Sequence, residues 1–190
     1  MTCIVGLRCA DDSLVVAADS YAGDEVLRFR FVGTKVFERQ GFLFGFAGTL
    51  GVGKTLQHAF TPPVHKKAEK SAESYMYRDF VDGVKEFFPK EPQALIVAYC
   101  GKLWEVSSYG DEIEVFEPLD GYFAIGSGRE LALGALRALE KELPGKELQV
   151  LWKVFSAVAH HSATVTPPFV YLSISPSGEV QSGELTGDAK

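Results

Sequence analysis

Residues 42–55, "FLFGFAGTLGVGKT", decide between two folds. The last eight of them, "GTLGVGKT" (48–55), fit G-x-x-x-x-G-K-[S/T], a loop that cradles nucleotide phosphates, and they follow an apolar, strand-like run. A phosphate loop would place this segment in an α/β sheet, with an acidic residue at the end of another strand to hold Mg²⁺. The later strands offer no such acid: "ALIVAYC" (94–100) runs into Gly101 and "VYLSIS" (170–175) into Pro176. "LVVAAD" (14–19) has the right shape but precedes the loop. A strand that must turn into a helix needs glycines for conformational reasons alone. The N–H groups at the helix start attract any developing negative charge, a phosphate or the oxyanion of an acyl intermediate alike. Lys54 then reads as an ordinary residue of the first helical turns.

Outward from this stretch, the chain falls into blocks of strands and blocks of helices. Residues 2–9 and 13–19 form one expected hairpin, and 35–39 with 42–47 a second, turning at Gln40-Gly41. A short helix is expected over 51–60, ending before Pro62-Pro63. Residues 71–88 carry Ala72, Met76, Phe80 and Val84 at helical spacing. Strands follow at 93–100, 102–108 and 112–116, and 122–128 reads as a strand running into a glycine turn. Helices over 129–143 (stripe Leu131, Ala135, Leu136, Leu139) and 146–161 (stripe Leu148, Leu151, Val154, Phe155, Val158) come next. A closing hairpin spans 169–185, and 186–190 reads as a frayed tail. Segregated strands and helices predict an α+β fold in one domain over 1–190.

Composition narrows the function classes. With 190 residues, 46% of them hydrophobic, the chain is long enough for a substantial core. Its 19 basic and 25 acidic side chains give a net charge of −6, and "HKKAEK" (65–70) is too short and mixed for a nucleic-acid surface. Three cysteines without CxxC spacing suggest buried thiols in a reducing compartment. The four histidines give no metal-ligand pattern. Neither a signal peptide nor a run long enough to span a bilayer is visible, so cytoplasmic localisation is expected. No cofactor, metal, nucleic acid or membrane partner is expected.

Chemistry concentrates at the start of the chain. A small second residue permits removal of Met1, which would leave Thr2 carrying both a hydroxyl and a free α-amine that can serve as its base. Asp19 ends an apolar strand beside that of Thr2, and Lys35 begins the next strand. A lysine partly withdrawn from water has its ammonium disfavoured and can accept a proton, while a carboxylate orients it.

"MTCIVGL", "LVVAADS", "TKVF", "FGFAGT" and "AIGSGRELALGALRAL", in that order, resemble the proteasome β-subunit and HslV group of N-terminal-nucleophile (Ntn) hydrolases, with the bacterial and phage HslV-like branch nearest. The resemblance implies a four-layer αββα sandwich. It matches Thr2 to the nucleophile, Asp19 to the acid that orients the lysine, Lys35 to that lysine, Gly48 to the oxyanion donor and Ser127 to the serine near the terminal amine. It departs where the family carries an Asp and a Ser three apart: this chain has Ala163 and Thr166, in "SATVTPPF". It also has Tyr21 where an arginine is common. The implied activity is a threonine-type peptidase with no cofactor, assembled as a homo-oligomeric ring around peptide or unfolded-protein substrates, and fed in many members by an ATP-driven unfoldase. The side-chain pocket is expected near Phe46–Thr49 and Lys35. A non-catalytic ring or scaffold protein of the same fold is the alternative, supported by the missing carboxylate at 163. Nucleotide binding through 48–55 comes last.

Overall fold

The computed structural model describes residues 2–23, 33–89 and 91–187, and the backbone of 28–29. Met1 and the last three residues of the expected tail lie outside the described residues. Strands β1 (Ile4–Arg8), β2 (Leu14–Asp19), β10 (Tyr122–Ile125), β11 (Phe169–Ile174) and β12 (Val180–Glu184) build one sheet in the order β10-β1-β2-β11-β12. Strands β5 (Val36–Arg39), β6 (Phe42–Ala47), β7 (Gln93–Tyr99), β8 (Lys102–Tyr109) and β9 (Glu112–Phe116) build a second in sequential order. Every pairing within both sheets is antiparallel. A two-residue ladder, β3 (Ala22–Gly23) with β4 (Arg28–Phe29), lies outside them.

Three apolar clusters separate four layers. β1 and β2 are buried on both faces, so their side chains alternate between two cores. Val5, Leu7, Val15 and Ala17 pack under helices α4 (Arg129–Leu139) and α5 (Glu147–His161). Ile4, Leu14, Val16 and Ala18 meet Leu43, Ile96 and Leu103 of the second sheet. Beyond that sheet, Phe42, Phe44, Phe46 and Trp104 pack against α1 (Leu50–Ala59) and the helical segment formed by α2 (Ala72–Tyr75) and α3 (Val81–Lys85). A π-helical turn, Met76–Phe80, joins α2 to α3. The result is the αββα sandwich. The two sheets approach closely at Gly45, where a Cβ would stand 2.4 Å from Ile4 Cγ2 and 2.7 Å from Val16 Cγ1.

Several sequence expectations are corrected in detail. Leu131, expected on the buried stripe of α4, is 44% exposed; Leu136 is buried as expected, together with Ala132, which that stripe left out. The helix docks through Gly128, whose Cβ position falls 2.9 Å from Cys3 Cβ and 3.0 Å from Val158 Cγ1, and this contact sets its rotation. On α5, Val150 replaces Leu148 in the buried stripe. Tyr75, absent from the expected stripe, is fully buried, with its hydroxyl donating to the Pro63 carbonyl at 2.7 Å. Of the three thiols, only Cys3 is fully buried; Cys100 is exposed, against the expectation of buried thiols. Of the expected tail, Gly187 lies against the Trp152 ring.

Candidate active site

The site forms where β1, β2 and the entrance to β5 meet at one end of the sandwich. The β1–β2 register pairs Ile4 with Ala18, so Cys3 falls opposite Asp19. The Asp19 N–H donates to the Cys3 carbonyl at 3.2 Å, and the Cys3 N–H returns a bond to Asp19 Oδ1 at 2.9 Å. Lys35 Nζ donates to the same Oδ1 at 2.8 Å. The other oxygen, Oδ2, accepts from the Tyr21 N–H at 3.0 Å. One carboxylate therefore ties the backbone next to Thr2 to the Lys35 ammonium. Thr2, Asp19 and Lys35 are all buried.

Burial sets the electrostatics of this pair. Loss of water pushes Lys35 below the ordinary lysine range, opposed by the attraction and hydrogen bond of Asp19. Burial likewise pushes the Asp19 carboxyl up, while Lys35 and the two backbone N–H groups pull it down. The neighbouring Cys3 thiol is pushed up to about 12, chiefly by burial, which favours its protonated form at neutral pH.

Ser127 holds Thr2 from the other side. The Thr2 N–H donates to Ser127 Oγ at 3.1 Å, the Ser127 hydroxyl lies 3.4 Å from the Thr2 carbonyl, and the Gly128 N–H donates to that carbonyl at 3.1 Å. The turn after β10 can reach so close only without a side chain at position 126. There φ is +89°, and a Cβ would stand 2.3 Å from the Thr2 carbonyl oxygen.

Gly48 directly follows β6 and lines the same cavity as Thr2. Among the described residues no hydrogen bond engages its N–H. The next N–H, of Thr49, donates to Gln93 Oε1 at 3.0 Å, and that oxygen also occupies the space above Gly48. The phosphate-loop reading loses its context here. β6 is antiparallel to β7, so no strand–helix–strand crossover surrounds the loop. Lys54 donates to Gln57 Oε1 at 2.9 Å along its own helix.

The structure thus brings Thr2, Asp19, Lys35, Gly48 and Ser127 to one end of the sandwich. Thr166 meets Ser20 there through its backbone carbonyl, which accepts the Ser20 N–H at 3.3 Å. The cavity beside Thr2 has a volume of about 320 Å³. It includes Ala47 and Gly48 but runs to Gln93, Glu105, Ser107 and Arg129, and Lys35 does not line it. Sequence reasoning missed Glu105, although a signal existed: in "KLWEVSS" an acid falls in the alternation between Leu103 and Ser107 of a strand whose other face is Trp104 and Val106. Among the described residues no cluster of His, Cys, Asp and Glu could hold a metal ion, and no helix is long and apolar enough to cross a membrane.

Comparison with solved structures places this arrangement in a known architecture. An Anbu mutant from Hyphomicrobium sp. superposes with a TM-score of 0.70 at 17% identity, covering 100% of this chain and 89% of that one. HslV from Trypanosoma brucei gives 0.69 at 20% identity, over 91% and 99% of the two chains. The proteasome-like bacterial hydrolase BPH from Thiobacillus denitrificans, in its complex with epoxomicin, gives 0.66 at 16% identity, over 97% and 99%. No protein-family model and no curated protein sequence matches the chain. At these identities the likeness speaks for the fold: the chain has the proteasome-like Ntn fold shared by HslV, BPH and Anbu.

Proposed function

We propose that this chain is a threonine-type hydrolase of peptide bonds, with Thr2 as nucleophile once Met1 is removed. The observation that carries the reading is the double anchoring of the Thr2 segment. Asp19 Oδ1 bridges the Cys3 N–H and the Lys35 ammonium, while Ser127 and Gly128 hold the Thr2 backbone at the mouth of a cavity. In the reaction, Thr2 Oγ attacks the scissile carbonyl carbon, and its proton passes to Lys35 or to the freed α-amine. Asp19 orients Lys35. The Gly48 N–H receives the developing oxyanion, a contribution worth about 3 kcal/mol for one well-placed donor. Collapse of the tetrahedral intermediate expels the amine and leaves an ester on Thr2, which water then hydrolyses.

Substitution Thr2→Ala should abolish turnover of fluorogenic peptides while leaving the fold unchanged by circular dichroism, and intact mass should show loss of one methionine. Unchanged turnover in that variant would refute the assignment. The missing carboxylate at Ala163 favours a second reading, a non-catalytic scaffold of the same fold; a protein that retains Met1 and carries no turnover would establish it. A homo-oligomeric ring in the cytoplasm, supplied by an ATP-driven unfoldase, completes the proposal. Its support is the fold shared with HslV and exposed apolar side chains such as Leu131 and Trp152 that a subunit contact would cover.

A further inference from the structure

One buried group at the site has no role in the chemistry above. Along β8, Trp104 and Val106 face the helical layer, whereas Leu103, Glu105 and Ser107 face the space between the sheets. Leu103 belongs to the inter-sheet core; two residues further on, where that core opens into the cavity beside Thr2, stands Glu105. Its side chain is taken out of water, with the residue only 6% exposed, yet among the described residues its Oε2 has no hydrogen-bond partner. No basic side chain among the described residues lies within ion-pair distance of it. An acceptor buried without a partner is destabilising, and such groups call for an external partner or a strain role.

We propose that the cavity beside Thr2 is a subsite for a lysine or arginine side chain of the substrate residue next to the cleaved bond, with the Glu105 carboxylate receiving its charge. This inference rests on the hydrolase reading of Thr2 and names the substrate class for that site. The walls suit such a side chain: Ala47, Ala94 and Ile125 offer apolar surface to its methylene stem, and the carboxylate lies among them. A volume of about 320 Å³ accommodates a long unbranched side chain together with water. The charged groups facing Glu105 are Arg129, at the start of α4, and Glu114, on β9. Burial pushes the Glu105 carboxyl up to about 7, with Arg129 opposing and Glu114 adding to the rise. A substrate cation would complete its ionisation and form a charge-assisted hydrogen bond.

The test compares the wild type with Glu105→Gln on internally quenched peptides carrying Lys, Leu or Glu on either side of the scissile bond. At one flanking position the wild type should favour Lys over Leu by roughly tenfold in kcat/KM, and Glu105→Gln should bring that ratio near one. A lysine preference that survives Glu105→Gln, or a preference for Glu, overturns the subsite. Binding gives a readout that does not need turnover. By calorimetry, Thr2→Ala should bind Ac-Ala-Lys-Ala-NH2 more tightly than Ac-Ala-Leu-Ala-NH2, with the difference growing from pH 6 to pH 8 and vanishing in Thr2→Ala/Glu105→Gln. Equal binding of the two peptides overturns the subsite even in an active enzyme. Lysine-selective binding by a protein without turnover overturns the hydrolase reading and upholds the subsite.

Discussion

Asp19 and Lys35 can be tested as an electrostatic unit by a double-mutant cycle. The carboxylate accepts three bonds, from the Cys3 N–H, the Lys35 ammonium and the Tyr21 N–H. Both partners are buried, with side chains 0% and 5% exposed. Asp19→Asn leaves the ammonium without its counter-charge and turns an amide NH₂ or a lone oxygen toward donors that need two acceptors. Breaking a buried pair costs 3–5 kcal/mol, so this variant should lose about 4 kcal/mol. Lys35→Met leaves a carboxylate that keeps both backbone N–H donors and can take up a proton, so about 3 kcal/mol is expected. Once the carboxylate is gone, removing the ammonium adds nothing, and the double variant should lose about 4 kcal/mol rather than the sum of about 7. The coupling is therefore about 3 kcal/mol, measurable by urea unfolding at pH 7 with a common slope across the four proteins. Additive losses, with coupling below about 1 kcal/mol, would show that Asp19 and Lys35 are only neighbours and would remove the physical basis for Lys35 as an oriented base.

Two further expectations follow from the site. Gly126→Ala places a Cβ 2.3 Å from the Thr2 carbonyl oxygen at a φ of +89°; the turn must move, so turnover should fall with Thr2 intact, and the unfolding midpoint should drop by an amount equivalent to about 2 kcal/mol. Glu105, raised by burial to about 7 from an ordinary 4.5, binds a proton in the folded state between those pH values where the unfolded chain has released it. Stability should therefore decline as pH rises from about 4.5 to 7, and the corresponding slope should be absent in Glu105→Gln; parallel stability–pH curves for the two proteins would contradict the burial argument.

Much of this molecule is legible from its amino acids alone, because the signals are local. The nearly unbroken apolar runs in "TCIVGL" and "LVVAAD" announce a hairpin of strands, and the layered fold around it followed from the family resemblance. Gln40-Gly41 announces its hairpin because both residues must take positive φ, and they do, at 52° and 78°. Thr2, Asp19 and Lys35 could be chosen because a small second residue, a strand end and a strand start mark where chemistry can meet, whereas Gly48 and Ser127 followed from the family resemblance.

The tertiary structure decided what local pattern does not encode. The rotation of α4 depends on its docking through Gly128 onto Cys3, a contact across 125 positions of chain, so the periodicity of the helix could not choose between Leu131 and Ala132. The shared Oδ1 of Asp19 requires the β1–β2 register and the entry of β5 together. The direction of the cavity depends on β8 and β10 closing around Thr2, strands that lie roughly a hundred residues away in sequence. Burial of Glu105 belongs to the same class: whether an acid within a strand meets water or a second sheet is fixed only when two distant layers pack, since solvation is a property of the assembled surface and not of the chain.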